Sequence, residues 1–212
     1  MRGYKIIMSL FITFEGGEGC GKTFQARALY RRLNRLAIPA FLTQEPGGTP
    51  LGTKLSRWLK WTDNLDISPL AELLLFNASR AQLVARVIHP RLKDNQVVIC
   101  DRYTDSTTVY QGYGRGLELA TVEAINQVAT QGLKPDLTIL LDMPAEEGLA
   151  RKGDKRADRF EQEDIDFHRR VRQGYLELAA AEPQRWLIVD ARQPKSKVSE
   201  IIWQKVSNLL SQ

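Results

Sequence analysis

Residues 16–23 read Gly-Gly-Glu-Gly-Cys-Gly-Lys-Thr, with glycines 16, 17, 19 and 21 leading directly into a lysine and a threonine. This is the G-x-x-x-x-G-K-[ST] spacing of a phosphate-binding loop. Glycines let backbone N–H groups turn inward around a polyphosphate, and the N-terminus of a following helix favours negative charge there. Lys22 is placed to reach the β- and γ-phosphates, and the Thr23 hydroxyl to ligate Mg²⁺. Gly16, Gly17, Glu18, Gly19, Cys20, Gly21, Lys22 and Thr23 are therefore expected to hold ATP or GTP. Cys20 reads as a small residue filling a tight loop. A second chemical cluster is Asp101-Arg102, at the end of the apolar run Val97–Cys100. A carboxylate there can orient Mg²⁺ and its waters. A guanidinium fork beside it suits a phosphate better than an ammonium does.

These groups need elements that bring them together. Five short apolar runs read as buried parallel strands: Leu10–Phe14, Ala40–Thr43, Val97–Cys100, Leu137–Leu141 and Trp186–Val189. Helical patterns lie between them, over Phe24–Leu36, Leu51–Leu59, Pro69–His89, Leu119–Gln131, Ile165–Ala180 and Lys195–Leu210. Strands alternating with helices predict an α/β fold of three layers, a five-stranded parallel sheet flanked by helices. Ligands of such folds sit outside the carboxyl ends of the strands. Gly16, Glu45-Pro46-Gly47-Gly48 and Asp101-Arg102 each follow a strand. The charge-dense stretch Glu146–Glu163 follows the fourth strand and reads as a short phosphate-covering lid.

The 212 residues fit a single domain. A hydrophobic share of 43% with 26% charged residues is that of an ordinary globular chain, and the net charge of +5 suits a handler of anions. No run approaches the ~18 apolar residues of a membrane span. The two cysteines, Cys20 and Cys100, suggest a reduced, intracellular (cytoplasmic) setting rather than a disulfide framework. The start is not read as a signal peptide, and Met8 could be an internal start, making residues 1–7 an extension. His89 and His168 sit in helical patterns and read as structural.

A GTPase would need a guanine-reading N-K-x-D, which is lacking. Small size, a lid of arginines and a second basic site point to a kinase of small molecules. Several blocks then carry a more specific resemblance: Phe14-Glu15-Gly16, Gln44-Glu45-Pro46-Gly47-Gly48-Thr49, Phe76 to Gln82, Asp101-Arg102-Tyr103, Tyr110 to Gly116 and Asp158-Arg159-Phe160-Glu161. In this order, and over nearly the whole chain, they resemble bacterial thymidylate kinases. The resemblance implies ATP- and Mg²⁺-dependent phosphorylation of dTMP to dTDP by a homodimer. It implies that Arg102 holds the acceptor phosphate, Phe76 stacks on thymine and Arg80 donates to its O4. It further implies that Glu45, Thr107, Tyr110 and Gln111 line the base and sugar, with Tyr110 crowding C2′, and that Glu18 lies near the 3′-hydroxyl.

The acceptor of such a reaction is already anionic, so positioning and charge neutralisation should carry catalysis. Residues 17–20 of the loop hold no cation. Arg151, Arg156 and Arg159 are then candidates for arginine fingers from the lid, with Arg159 favoured as part of the D-R-F-E block. Arg192, in the turn Asp190–Gln193 after strand five, is expected beside the adenine.

Two arginines usual in the resembled family are replaced here, by Gln44 and Ser56. Arg57 stands one place later, about 100° round a helix, and is the acceptor-phosphate candidate. Two other readings stay open. Another nucleoside monophosphate kinase would show in a monophosphate panel. A nucleic-acid-stimulated ATPase is disfavoured, because the basic stretch lacks aromatic interleaving. Neither nucleic acid nor membrane is expected as a partner.

Overall fold

The computed structural model describes residues 9–61, 66–152 and 157–211. The possible extension 1–7 and the lid candidate Arg156 lie outside the described residues. The sheet holds β1 (Leu10–Glu15), β2 (Ala40–Gln44), β3 (Val97–Asp101), β4 (Leu137–Asp142) and β5 (Trp186–Asp190) in the order β2-β3-β1-β4-β5, all parallel. All six residues of central β1 are buried, whereas edge strands β2 and β5 are partly exposed. Both faces of the centre are covered by helices, which is why its strands read as unbroken apolar runs.

Helix α1 (Lys22–Arg35) starts at the phosphate-loop lysine, entered from Gly21 at φ 92. Its first N–H groups receive no side-chain cap, so they are left for an anion. Helix α2 (Pro50–Trp61) packs against α3 (Pro69–Leu83), and α3 against α6 (Leu119–Thr130). α7 (Ala145–Ala150), α8 (Ile165–Ala181) and α9 (Lys195–Leu209) complete the layers with α4 (His89–Lys93) and α5 (Thr104–Thr107).

The helix expected over Pro69–His89 is not continuous. It widens into a π-helical turn at Val84–Ile88 and resumes as α4. Pro90 lacks an N–H and crowds the carbonyl four residues back, so the ladder slips by one residue there. A second π-helical stretch, Thr108–Gly114, carries Tyr110 and Gln111. Periodicity of 3.6 does not describe such a segment, and it was not among the expected helices.

Candidate active site

Three loops leave the carboxyl ends of β1, β2 and β3 and meet above the sheet. In the phosphate loop, Lys22 Nζ folds back to donate to the carbonyls of Gly16 (2.9 Å) and Gly17 (2.7 Å). Thr23 Oγ1 donates to Asp101 Oδ2 at 2.5 Å, bringing together the two oxygen ligands expected for Mg²⁺. The loop lies tight on α7. A Cβ at Gly19 would run into the carbonyl of Gly148, and one on Gly148 into that of Glu18. Glycine at both positions allows this backbone approach.

Arg102 turns the chain out of β3 with φ 71, a costly conformation for a residue with a side chain. Its surroundings hold it there. The Arg102 N–H donates to Phe14 O at 3.0 Å, and the next N–H, of Tyr103, donates to Glu15 Oε1 at 2.7 Å. The guanidinium reaches Glu18 Oε1 (2.6 Å), Tyr110 Oη (3.2 Å) and Ser106 Oγ (3.1 Å), and stacks 5.0 Å over the Tyr110 ring. Burial works against charge on Glu18, but Arg102 and Lys22 beside it hold its carboxyl well below the usual carboxylate range.

Behind Arg102 sits Glu15, fully buried, accepting from Tyr103 N–H, Ser106 Oγ (2.6 Å) and Tyr175 Oη (2.8 Å). Burial, with the Asp105 carboxylate next in weight, pushes its carboxyl up to about 7 against these hydrogen bonds and Arg102. Between the ordinary value of 4.5 and about 7 the folded chain then binds more protons than the unfolded one, so this contribution to stability is full below pH 4.5 and lost as pH rises to about 7. Glu15→Gln should lack that decline. Denaturant unfolding of both proteins from pH 4.5 to 8 should show the variant gaining about 3 kcal/mol on the parent across the window; parallel profiles would contradict it.

The second half of the site is an aromatic cleft. It is lined by Phe76, Arg80, Thr107, Tyr110 and Gln111, together with Phe160, Lys60 and Asp158. Phe160 from the D-R-F-E block comes within 5.6 Å of Phe76 and 6.0 Å of Tyr110, ring to ring. Arg80 is 1% exposed, and all five of its N–H groups are occupied, by Glu45 (2.8 Å), Asn77, Asn126, Tyr103 O and Thr107 Oγ1 (2.6 Å). Glu45 Oε1, also buried in the cleft wall, has no hydrogen-bond partner among the described residues.

Several expected residues are placed elsewhere. Arg159 does not face the phosphate loop. It bonds the Glu72 carboxylate and the Leu59 carbonyl (3.1 Å) on the cleft's outer wall, since a fully buried Glu72 requires cations. Arg151 donates to Ala191 O (3.0 Å) and lines a separate groove with Gly19, Phe24 and Gln193. The next residue, Lys152, is the one lid cation among the described residues in the phosphate cavity, beside Glu161 and 3.8 Å from Glu18. Arg192 pairs with Asp190 at 2.9 Å on the surface while its neighbours Ala191 and Gln193 line the groove. Arg57 is exposed on α2, whereas Ser56 faces the groove beside Thr23 and Gln44. One residue of helical rotation separates them, and it turns Arg57 to solvent. His168 is buried in α8 and His89 half-buried; neither lines these cavities.

Glu72, missed in the sequence, is a centre of the wall. It accepts from Gln111 (2.8 Å) and Arg115 (3.3 Å) as well as Arg159. Its spacing offered a signal: Glu72, Phe76 and Arg80 recur every four residues, hence on one helix face. Glu72→Gln would leave two part-buried guanidinium groups short of charge. A loss of about 3 kcal/mol is expected, read as a fall of roughly 6–12 °C in Tm. An unchanged Tm would show that solvent serves the arginines equally well.

Comparison with known proteins decides among the nucleotide kinases this geometry allows. Residues 14–202 match the family described as Thymidylate kinase. The chain belongs to the thymidylate kinase family. It is 59% identical to the thymidylate kinase of Dehalococcoides mccartyi over 203 residues, 96% of this chain and 98% of that one. The Roseiflexus thymidylate kinase is 47% identical over 208 residues, 92% of each chain. The crystal structure of the Ehrlichia chaffeensis thymidylate kinase superposes with a TM-score of 0.75 at 30% identity, covering 95% of this chain and 99% of that one. Membership of this family gives the reaction as phosphorylation of dTMP to dTDP, with ATP as the phosphoryl donor.

Proposed function

We propose that the aromatic cleft seats dTMP and the phosphate loop seats ATP, with the moving phosphoryl between Lys22 and Arg102. The observation that carries this reading is that Glu18, Lys60, Arg102 and Asp158 line both the cleft and the phosphate cavity, so the two open into one another. Phe76 and Phe160 offer faces to a pyrimidine, and Arg80, Thr107 and Gln111 offer polar edges. A base approaching Arg80 shares an N–H with Thr107 Oγ1 or Glu45. Tyr110 and Glu18 sit where the sugar would pass, and a 2′-hydroxyl unpartnered there would be costly. The adenine would occupy the groove beside Phe24, Arg151, Ala191 and Gln193.

Thr23 Oγ1 and Asp101 Oδ2 are hard oxygen donors converging at the mouth of the phosphate cavity, and such a pair fits Mg²⁺. When bound, the ion neutralises charge on the donor's terminal phosphates. The remaining work falls to the chain itself. The acceptor oxygen needs no proton removed, so Lys22, Arg102 and Lys152 act by position and charge. Lys152 takes the part expected of a lid arginine, and Asp158 and Glu161 of the same lid segment line the cavity with it, within a single domain.

A second copy of the chain is the proposed partner. Leu51 and Trp58 on α2 and Leu70 and Leu74 on α3 leave large apolar side chains exposed on adjacent helices. The spacings i, i+7 and i, i+4 put each pair on one face, an arrangement suited to an isologous interface. Trp58→Glu with Leu74→Glu should convert the protein to monomer in sedimentation equilibrium. We place the enzyme in the cytoplasm, where its nucleotide substrates are held; no helix among the described residues is long and apolar enough to cross a membrane.

The reading is tested by ADP release with ATP, Mg²⁺ and a panel of monophosphates. Turnover should favour dTMP over dCMP, UMP and AMP. Equal turnover across the panel would remove the cleft from specificity, and DNA-stimulated hydrolysis without acceptor would replace the reading altogether.

A further inference from the structure

Five charged residues line both the aromatic cleft and the phosphate cavity: Glu18, Glu45, Asp158, Lys60 and Arg102. Three are acids and two are bases. A phosphate dianion entering this passage meets more negative than positive charge unless both bases turn to it. Arg102 is already shared with Glu18 at 2.6 Å. Arg80 is spent on the five internal acceptors described above. Arg57 points to solvent, and Gln44 and Ser56, which stand where the resembled family has arginines, are uncharged.

Lys60 is differently placed. It lies four residues after Ser56, on the same face of α2 and one turn nearer its end. One turn rises about 5.4 Å, a gap its four-carbon stem can cover. Its Nζ is 3.6 Å from Asp158 Oδ2, too long for a hydrogen bond, and its side chain remains 31% exposed. Asp158 itself is fixed, since its Oδ1 accepts from the N–H groups of Phe160 (3.0 Å) and Glu161 (3.1 Å). The end of α2 is also tied to this segment, Lys60 O accepting from Arg159 N–H at 3.2 Å. The ammonium is therefore loosely held beside the passage, by a carboxylate that a dianion can outcompete.

We propose that Lys60 is the second cation that binds the acceptor phosphate, delivered from one helical turn beyond Ser56 and kept in place by Asp158 while the site is empty. The contact bonds phosphate oxygens only, so it should discriminate dTMP from thymidine and be indifferent to the base.

The test is calorimetric titration of the full-length enzyme with dTMP and with thymidine. In Lys60→Met, dTMP affinity should fall about 10- to 100-fold, the range of a charge-assisted phosphate contact, while thymidine affinity stays within about twofold. KM for dTMP should rise with little change in KM for ATP. Adding Ser56→Arg to Lys60→Met should restore at least tenfold of the lost dTMP affinity, because the cation returns on the same helix face. Equal losses for dTMP and thymidine would mean that Lys60 only supports the cleft, and would overturn the proposal. Unchanged affinity for both would overturn it too. Retained thymidine binding in each variant reports a folded cleft, so misfolding cannot pass for the expected result.

Discussion

Replacing Lys22 with alanine is expected to lower kcat about 10³-fold while the protein stays folded, the scale of removing one aimed electrostatic donor. Lys22 is 7% exposed, and its ammonium bridges the carbonyls of Gly16 and Gly17. Those oxygens hold it in the cavity without neutralising it, so it remains available to terminal phosphate oxygens. Lys22→Arg should not rescue, since a planar guanidinium cannot enter a cradle built on two adjacent carbonyls. Steady-state kinetics with saturating ATP and dTMP, beside a thermal melt, make the check. A loss of activity matched by a loss of Tm would assign the residue to loop stability instead.

Arg102→Ala should be as severe, but with its effect on the acceptor side. A fall of about 10³-fold in kcat/KM for dTMP is expected, with KM for ATP changed by less than threefold. Two losses combine: the bidentate donor beside the passage goes, and Glu18 keeps its charge with only Lys22 and Lys152 near it. A part-buried carboxylate left short of a partner repels the incoming phosphate. Arg102→Lys should recover less than a tenth of the loss, because one ammonium cannot serve Glu18, Tyr110, Ser106 and a phosphate together. If KM for ATP rose instead, Arg102 would belong to the donor side and the orientation of the two substrates would have to be reversed.

Both expectations rest on one feature of the site: its cations are held in place by acids or carbonyls. Lys22 has loop carbonyls, Arg102 has Glu18, Lys152 has Glu161, and Lys60 has Asp158. Fixing the charges before substrate arrives removes reorganisation from the reaction step. The looser pairs, at Lys60 and between Lys152 and Glu18, lie where substrate must displace something to enter.

The amino-acid sequence by itself determined the architecture and the place of the phosphate loop within it. Strands apolar along their whole length, alternating with amphipathic helices, admit few arrangements, and the carboxyl ends of β1, β2 and β3 are where Gly16, Glu45 and Arg102 fall. The phosphate loop is legible because its chemistry is local: eight consecutive residues make the turn, the helix start, the cation and the hydroxyl. The aromatic cleft was legible by resemblance, and the structure brings Phe76, Arg80, Thr107, Tyr110 and Gln111 together.

Only the tertiary structure decided which of the described cations line the cleft and the phosphate cavity. Arg159 and Lys152, or Arg57 and Lys60, are interchangeable in composition and nearly so in sequence position. Their directions depend on a helix rotation and on where a buried acid waits. Glu72, fully enclosed between α3 and the cleft wall, draws Arg159 and Arg115 to itself, because an uncompensated buried carboxylate is far costlier than a displaced arginine. Lys152 is left lining the phosphate cavity, and Lys60 the passage beside Arg102. Such pairings join residues far apart in the chain, 87 positions between Glu72 and Arg159 and 84 between Glu18 and Arg102, and no periodicity or motif spacing records them.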